Sequence, residues 1–104
     1  MALRLVYITH ENRRKAKALA RRLVEERLVA CVNIIPQTEA IYWWKGKVAE
    51  CPEAALLCKT TPKNVPKLIK RVRQLHTYEI PCVLVLKVET GNKEYIEWLC
   101  KECR

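Results

Sequence analysis

Six cysteines and His76 are the side chains of this 104-residue chain that are best suited to chemistry. Thiolates and imidazoles act both as nucleophiles and as metal ligands. A nucleophilic site needs a cysteine or serine next to a base. His76 could be such a base for Cys31 or Cys58, but nothing in the sequence brings them together, and no oxyanion-hole motif accompanies them. The sequence therefore predicts a protein that is not an enzyme.

Two of the thiols form a Cys-x-x-Cys pair, at Cys100 and Cys103. Positions i and i+3 of a helix share a face, so this pair could hold a soft metal ion or oxidise. A structural zinc site requires four ligands, and the sequence contains no second matching pair. We interpret these two cysteines as core or surface residues near a frayed helix end.

A predicted loop at residues 76–81, HTYEIP, contains the best candidate metal ligands, His76 and Glu79. Glu79 could pair with His76, orient its ring or share a metal ion with it. The alternative for His76 is a histidine at a helix end that the helix dipole stabilises. The alternative for Glu79 is a surface carboxylate. Tyr78 lies between the two.

Residues 42–47, YWWKGK, combine three aromatic side chains with one of the two glycines. A lone glycine between two lysines predicts a hairpin turn that closes a strand. We expect Tyr42, Trp43, Trp44 and Trp98 to be core or interface anchors.

Two polar residues adjoin apolar stretches. Asn33 interrupts an apolar run and should need hydrogen-bond partners, which a subunit boundary could provide. Lys59 comes at the end of a predicted strand and could bind an anion. The alternative is a lysine whose stem lies along apolar surface.

The pattern of apolar residues predicts the elements that position these side chains. A strand over residues 2–8 is followed by an amphipathic helix of about 16 residues, with Asn12 as the predicted N-cap and Thr9 as the alternative. Residues 30–35 are typical of a buried strand that ends at Pro36, and residues 38–44 continue in an extended conformation.

The second half of the chain has the same predicted order of strand, helix and strand. Residues 47–60 form a long strand in which Pro52 indicates a bulge or an edge position. Thr61 and Pro62 are typical of a helix start, and a strand over residues 81–88 and a short final helix follow. The order β-α-β-β-α-β plus a helix predicts an α+β, ferredoxin-like fold with an antiparallel sheet. Its long edge strand needs a cover, which another subunit could provide.

Length and composition restrict the class of protein further. A chain of 104 residues allows one domain. No apolar run approaches the roughly 18 residues of a membrane span, and the first residues do not resemble a signal peptide. We expect a soluble cytoplasmic protein with no membrane partner. Few amides, no Asp and 30% charged residues resemble the composition of a thermophile's protein.

The formal net charge is +9, and the basic residues gather on the two predicted helices. We interpret them as solvated helix faces, because they alternate with apolar residues at helical spacing. Nucleic acid is not an expected partner, because residues 53–59 of the predicted third strand offer no aromatic ring for base stacking.

Five segments together resemble the CutA1 family, the divalent-cation tolerance proteins. They are residues 26–34, 42–47, 57–60, 76–81 and 95–99. The resemblance implies one CutA1-like domain over residues 1–104, a ferredoxin-like fold and a homotrimer in which edge strands pair between subunits. It also implies a link to tolerance of copper and other divalent cations, and it supplies no catalytic reaction. The family's proposed copper ligands are a Cys at the end of the first strand and a His-His pair before the Tyr loop. The resemblance places them at Ile8, Leu75 and His76 of this chain, so only His76 is the same type of residue.

Two functions follow as hypotheses. In the first, the homotrimer binds divalent metal ions, copper among them, through His76 and carboxylates such as Glu79. The clefts between subunits would be lined by Tyr42, Trp43, Lys59 and Tyr78, and Trp44, Trp98 and Asn33 would lie in the interface. In the second, the trimer is a signalling or scaffold module, similar to PII nitrogen-regulatory proteins, that binds a small anionic ligand in the same clefts.

Overall fold

The computed structural model describes residues 2–104. The elements in chain order are β1 (Leu3–His10), α1 (Arg13–Glu25), β2 (Cys31–Trp44), β3 (Lys47–Thr60), a 3-10 turn (Pro62–Asn64), α2 (Val65–Leu75), β4 (Val83–Val88) and α3 (Lys93–Glu102). The protein is therefore α+β, and the predicted order of strands and helices is confirmed. None of the described helices is long and apolar enough to cross a membrane.

The four strands form one antiparallel sheet in the order β2-β3-β1-β4. β1 pairs with β3 only as far as His10 and Ala54, whereas β2 and β3 pair along their whole length to Trp44 and Lys47. Within the described chain, residues 47–53 of β3 therefore have a neighbouring strand on one side only. The β2–β3 hairpin protrudes beyond the rest of the sheet, and the molecule is 45 Å long but only 25 Å wide.

The predicted hairpin turn is confirmed at Lys45 and Gly46. Their φ angles are +49° and +78°, and two consecutive positive values are what a two-residue type I′ turn requires. This turn has the same handedness of twist as the paired strands, so that β2 and β3 leave it in register.

The prediction that Pro36 ends a strand is wrong. Pro36 and Gln37 of β2 together oppose the single residue Ala54 of β3, so a β-bulge lies between Ile35 and Thr38. The bulge accommodates the proline, which has no N–H for the ladder, and the strand continues to Trp44. Pro52 is paired in register, on the part of β3 whose second edge is free, which confirms the edge alternative.

The prediction of a buried strand at residues 30–35 is also wrong. Ile35 is 41% exposed and Asn33 is exposed as well. β2 lies at the edge of the sheet, and helices α1 and α2 cover only one of the two sheet faces. The apolar pattern of residues 30–35 is that of a strand, but this chain alone does not bury their side chains.

The core lies between the sheet and two helices. Its fully buried side chains include Val6, Ile8, Leu23, Leu56, Cys58, Leu68 and Val72. Asn12 caps α1 as predicted, because its Oδ1 accepts a hydrogen bond from Lys15 N at 2.9 Å. α1 has 13 residues rather than about 16, since the backbone turns at Arg27 with φ +63°. Thr61 precedes the 3-10 turn without a side-chain cap, and α2 itself begins at Val65.

The end of α3 is held against the turn that follows α1. Arg27 Nη1 lies 2.6 Å from Glu102 Oε1, and Arg104 N donates to Arg27 O at 3.1 Å. Cys100 and Cys103 lie at this end of the chain, and both are half-buried. All six cysteines are free thiols, and Cys103 Sγ lies 3.9 Å from Thr60 Oγ1.

Candidate functional site

His76 fastens the loop after α2 to the end of β1. Its Nε2 lies 2.7 Å from Thr9 O, and Tyr78 N donates to its Nδ1 at 3.1 Å. Because a backbone N–H can only donate, Nδ1 accepts and Nε2 carries the proton that is donated to Thr9 O. Both ring nitrogens of this predicted metal ligand are therefore engaged by backbone groups.

A second histidine, His10, stacks on His76. The ring centroids are 3.9 Å apart and the planes are inclined by 17°. His10 is 3% exposed, and its Nδ1 accepts a hydrogen bond from Glu11 N at 2.8 Å. Burial is the main reason why the pKa of His10 falls to about 4, and the neighbouring His76 and Lys15 lower it further.

Sequence reasoning missed His10 as part of this site. The available signal was its position, because it follows Val6 and Ile8 at the two-residue spacing of a strand face, and both are fully buried. Extending the predicted strand from residue 8 to His10 would have placed its ring on the helix-covered face.

Tyr78 connects the loop to the hairpin. Its hydroxyl donates to Glu53 Oε2 at 2.7 Å. Burial raises the pKa of Tyr78, and the hydrogen bond to the Glu53 carboxylate raises it further. Within the hairpin, Tyr42 Oη of β2 and Cys51 Sγ of β3 are 3.6 Å apart. This contact is the main cause of the raised pKa of Tyr42.

A cavity of about 440 Å³ lies between the hairpin and this loop, and we call it the hairpin pocket. It is lined by Thr9, Ala40, Tyr42, Trp44, Glu53, Tyr78, Glu79, Ile80 and Cys82. The pocket is broad and open to solvent. The polar groups of its lining side chains are two carboxylates, a thiol, three hydroxyls and one indole N–H, and the carboxylates and the thiol are ligand types for divalent cations.

The structure brings some of the predicted site residues together and separates others. Tyr42, Trp44, Tyr78 and Glu79 line the hairpin pocket, and the ring of His76 packs against that of Tyr78, with centroids 4.6 Å apart. Lys59 lies at the opposite end of β3. Its Nζ is 3.2 Å from the Tyr95 hydroxyl and 3.8 Å from Cys31 Sγ. Lys59 is therefore distant from Tyr42 and Tyr78 within one chain, and the predicted cleft between subunits that would bring them together stays a prediction.

The aromatic side chains predicted as core or interface anchors are not in the core. Trp43 is 75% exposed, and Tyr42, Trp44 and Trp98 are exposed to a lesser extent. Trp98 packs against Tyr95 at 5.5 Å between ring centroids, close to the ion pair of Arg27 and Glu102. The interface alternative for these residues, and for Asn33, stays a prediction.

No preformed metal centre is present in the part of the chain that the structure describes. Residues 2–104 contain no group of three or more His, Cys, Asp or Glu side chains arranged to hold a metal ion. Glu53, Glu79 and Cys82 line one pocket, but a single chain does not complete a coordination shell with them. The role of His76 and Glu79 as metal ligands stays a prediction.

The fold and the pocket define a class: a small α+β protein with a four-stranded antiparallel sheet and an open cavity beside a projecting hairpin. The family model of the CutA1 divalent ion tolerance protein matches residues 4–102. This chain belongs to the CutA1 family.

Relatives from distant organisms support that assignment. The divalent-cation tolerance protein CutA of Thermus thermophilus is 47% identical over 95 residues, which cover 91% of this chain and 92% of that protein. Human protein CutA is 46% identical over 93 residues, which cover 89% of this chain. The chain spans about half the length of the human and mouse relatives, 52% in each case.

Solved structures of the family have the same fold. The Thermus thermophilus divalent cation tolerance protein superimposes with a TM-score of 0.95 at 44% identity, covering 98% of this chain and 99% of that one. CutA1 from Oryza sativa gives a TM-score of 0.97 at 38% identity, covering 100% of this chain and 95% of that one.

Proposed function

We propose that this protein acts in tolerance to divalent cations as a homotrimer that binds the cation between subunits. The observation that carries this proposal is the projecting β2–β3 hairpin. Residues 47–53 have a free β edge in the described chain, and Ile41, Trp43 and Val48 of the same hairpin are between 58% and 75% exposed. A long apolar edge strand is a site of strand pairing between chains.

Exposed apolar residues continue from the hairpin onto the rest of the molecule. Ile80 beside the hairpin pocket is 70% exposed, and Leu84, Val85 and Leu86 of β4 are exposed too. Small domains leave much apolar surface uncovered, and obligate interfaces are large and hydrophobic. Burial of this surface between subunits would enclose the hairpin pocket, which a single chain leaves open.

The cation site in this proposal is the hairpin pocket. Glu53 and Glu79 supply carboxylates and Cys82 supplies a thiol, and the adjoining subunit supplies the ligands that one chain lacks. His76 would join as a ligand only by releasing Thr9 O or Tyr78 N. Its alternative role is to hold the loop that carries Glu79.

Titration calorimetry with Cu²⁺ and Zn²⁺ tests the cation site. We expect Glu53→Gln and Glu79→Gln each to weaken binding by about tenfold or more, as the loss of a ligand or its partner does. Glu97→Gln, at an exposed position of α3, is the matched control and should bind as the wild type does. Equal affinity in wild type and His76→Ala would remove His76 from the coordination shell.

Light scattering tests the assembly. We expect about three times the 12.2 kDa mass of one chain at micromolar concentration. Trp44→Asp should dissociate the trimer, because it places an unpaired charge in the proposed interface. A folded monomer of the wild type at the same concentration would contradict the proposal.

The anion-binding alternative is less well supported by the hairpin pocket. Its described lining contains Glu53 and Glu79 but no Lys or Arg, and Lys59 lies at the other end of β3. A thermal-shift screen with nucleotides and small carboxylates separates the two functions. Stabilisation by one of these anions, without stabilisation by metal ions, would favour the PII-like signalling or scaffold role.

A further inference from the structure

The positive charge of this protein is concentrated on one side. Residues 13–25 and 62–75, which form α1, the 3-10 turn and α2, contain eleven of the twenty Lys and Arg residues and one of the eleven acidic residues. They carry a formal charge of +10, and the rest of the chain carries −1. Both segments cover the same face of the sheet, and we call their outer surface the basic helix layer.

Most of these cations are not neutralised by neighbours. Four of them pair with glutamates: Lys15, Arg21, Arg22 and Arg71. The other seven are exposed and have no acidic partner among residues 2–104: Arg13, Arg14, Lys17, Lys63, Lys67, Lys70 and Arg73. These cations recur at helical spacing, as the sequence predicts. In the folded chain, those of residues 13–25 and those of residues 62–75 lie on the same side of the molecule and form one region of positive charge.

The chemistry of this layer indicates which polyanion it fits. Val24 is the one bulky apolar side chain that is exposed on α1 or α2, both of which the structure describes completely. An anionic membrane surface is bound by helices that insert several bulky apolar residues, and this layer exposes only Val24. Trp, Tyr and Phe are absent from residues 13–25 and 62–75, so bases of a single strand would find no stacking platform.

The remaining candidate is a rigid polyanion with closely spaced phosphates, such as a nucleic-acid duplex. The 13-residue α1 is about 20 Å long at 1.5 Å per residue. A duplex of that length carries about 12 phosphates. Six unpaired cations on the two helices and Lys63 in the 3-10 turn provide positive charge for such a row of phosphates, and they require no contact with base edges.

We propose that the basic helix layer binds the phosphate backbone of a nucleic-acid duplex without sequence preference. This role is independent of the hairpin pocket, because no residue of α1 or α2 lines it. It differs from the base-stacking mode that the sequence argues against, since that mode would use the sheet and not the helices.

Fluorescence anisotropy with a labelled 30-base-pair DNA duplex of random sequence tests the proposal. We expect binding at 50 mM NaCl that weakens steeply with salt, with a log–log slope of about −0.9 for each phosphate contacted. The triple variant Lys67→Gln, Lys70→Gln, Arg73→Gln should make that slope shallower by about 2.7 if all three contact phosphates.

A second triple variant is the matched control. Lys87→Gln, Lys93→Gln, Lys101→Gln removes the same charge from exposed positions outside the basic helix layer. It should keep the wild-type slope, and light scattering should show the same mass for all three proteins. Unlabelled single strands and vesicles with anionic lipid serve as competitors, and both should compete more weakly than the duplex does.

Four results would overturn the proposal. Two are the absence of binding at 50 mM NaCl and an unchanged salt slope in the helix variant. The other two are equal losses of duplex affinity in both triple variants, and stronger competition by single strands or vesicles than by the duplex. Equal losses would mean that only the net charge matters. Preference for vesicles would assign the layer to a membrane surface instead.

Discussion

The two halves of β3 have the same backbone conformation but different surroundings. Residues 54–60 lie between β1 and β2, and Ala54, Leu56, Cys58 and Thr60 are completely buried. Residues 47–53 pair with β2 only, and Val48 is more than half exposed. One half is therefore fixed by its own chain, whereas the other presents an apolar edge whose burial depends on a partner.

The largest expected effect sharpens this contrast in the buried half. Leu56→Ala should lower the free energy of unfolding by about 2–5 kcal/mol, because it opens a cavity under α1 and α2. Urea denaturation measures the loss. The matched variant in the projecting half is Val48→Ala, which should cost less than about 1 kcal/mol in a dilute protomer. If the two variants lost similar amounts of unfolding free energy at every protein concentration, the distinction between the two halves of β3 would be wrong.

The second prediction concerns the buried His10. Its pKa in the folded protein is about 4 and its ordinary value is 6.5, so the unfolded chain takes up the proton first as the pH falls. Stability should therefore decrease between pH 6.5 and pH 4, by on the order of 3 kcal/mol in total.

His10→Phe is the control for this pH dependence, because it keeps an aromatic ring against His76 and removes the titrating group. Denaturation at pH 7 and pH 5 should show a smaller loss in the variant than in the wild type. Parallel pH profiles would show that His10 contributes nothing to the acid sensitivity.

The smallest predicted effect lies at the junction of the two regions. Tyr78→Phe removes the 2.7 Å hydrogen bond to Glu53 and should cost about 1.5–3 kcal/mol, since the acceptor is a carboxylate. Tyr42→Phe loses only the longer contact with Cys51 and should cost less. Thermal unfolding compares the two, and the reverse order would show that the hairpin, and not the loop, holds the pocket together.

The sequence was sufficient for features that depend on neighbouring residues along the chain. Asn12 as a cap, the turn at Lys45 and Gly46, and the edge position of Pro52 follow from local backbone chemistry, and all three are confirmed. The α+β class follows from alternating apolar periods. Membership of the CutA1 family follows from segments such as residues 42–47 and 76–81, whose order and spacing are specific.

The errors concern features that depend on distant residues or on a second chain. Pro36 ends a strand by its own chemistry, but a bulge opposite Ala54 allows the ladder to continue. The apolar run of β2 predicts burial, and the chain provides only one covered face. Lys59 lies at the other end of β3 from the contacts of Tyr42 and Tyr78, so only a second chain could bring them into one cleft, as the sequence predicts. The spacing of β1 indicates the sheet face on which His10 lies, but no local pattern indicates that its stacking partner is His76.

The hydrogen bond between His76 and Thr9 O also has a kinetic consequence, because it joins residues 67 positions apart. Contacts of such sequence separation form after local ones, so the loop that completes the pocket should become ordered late in folding. The amide of Tyr78, which donates to the buried ring of His76, would then exchange with deuterium when this loop opens. A single slowly exchanging amide could thus report how often the pocket comes apart.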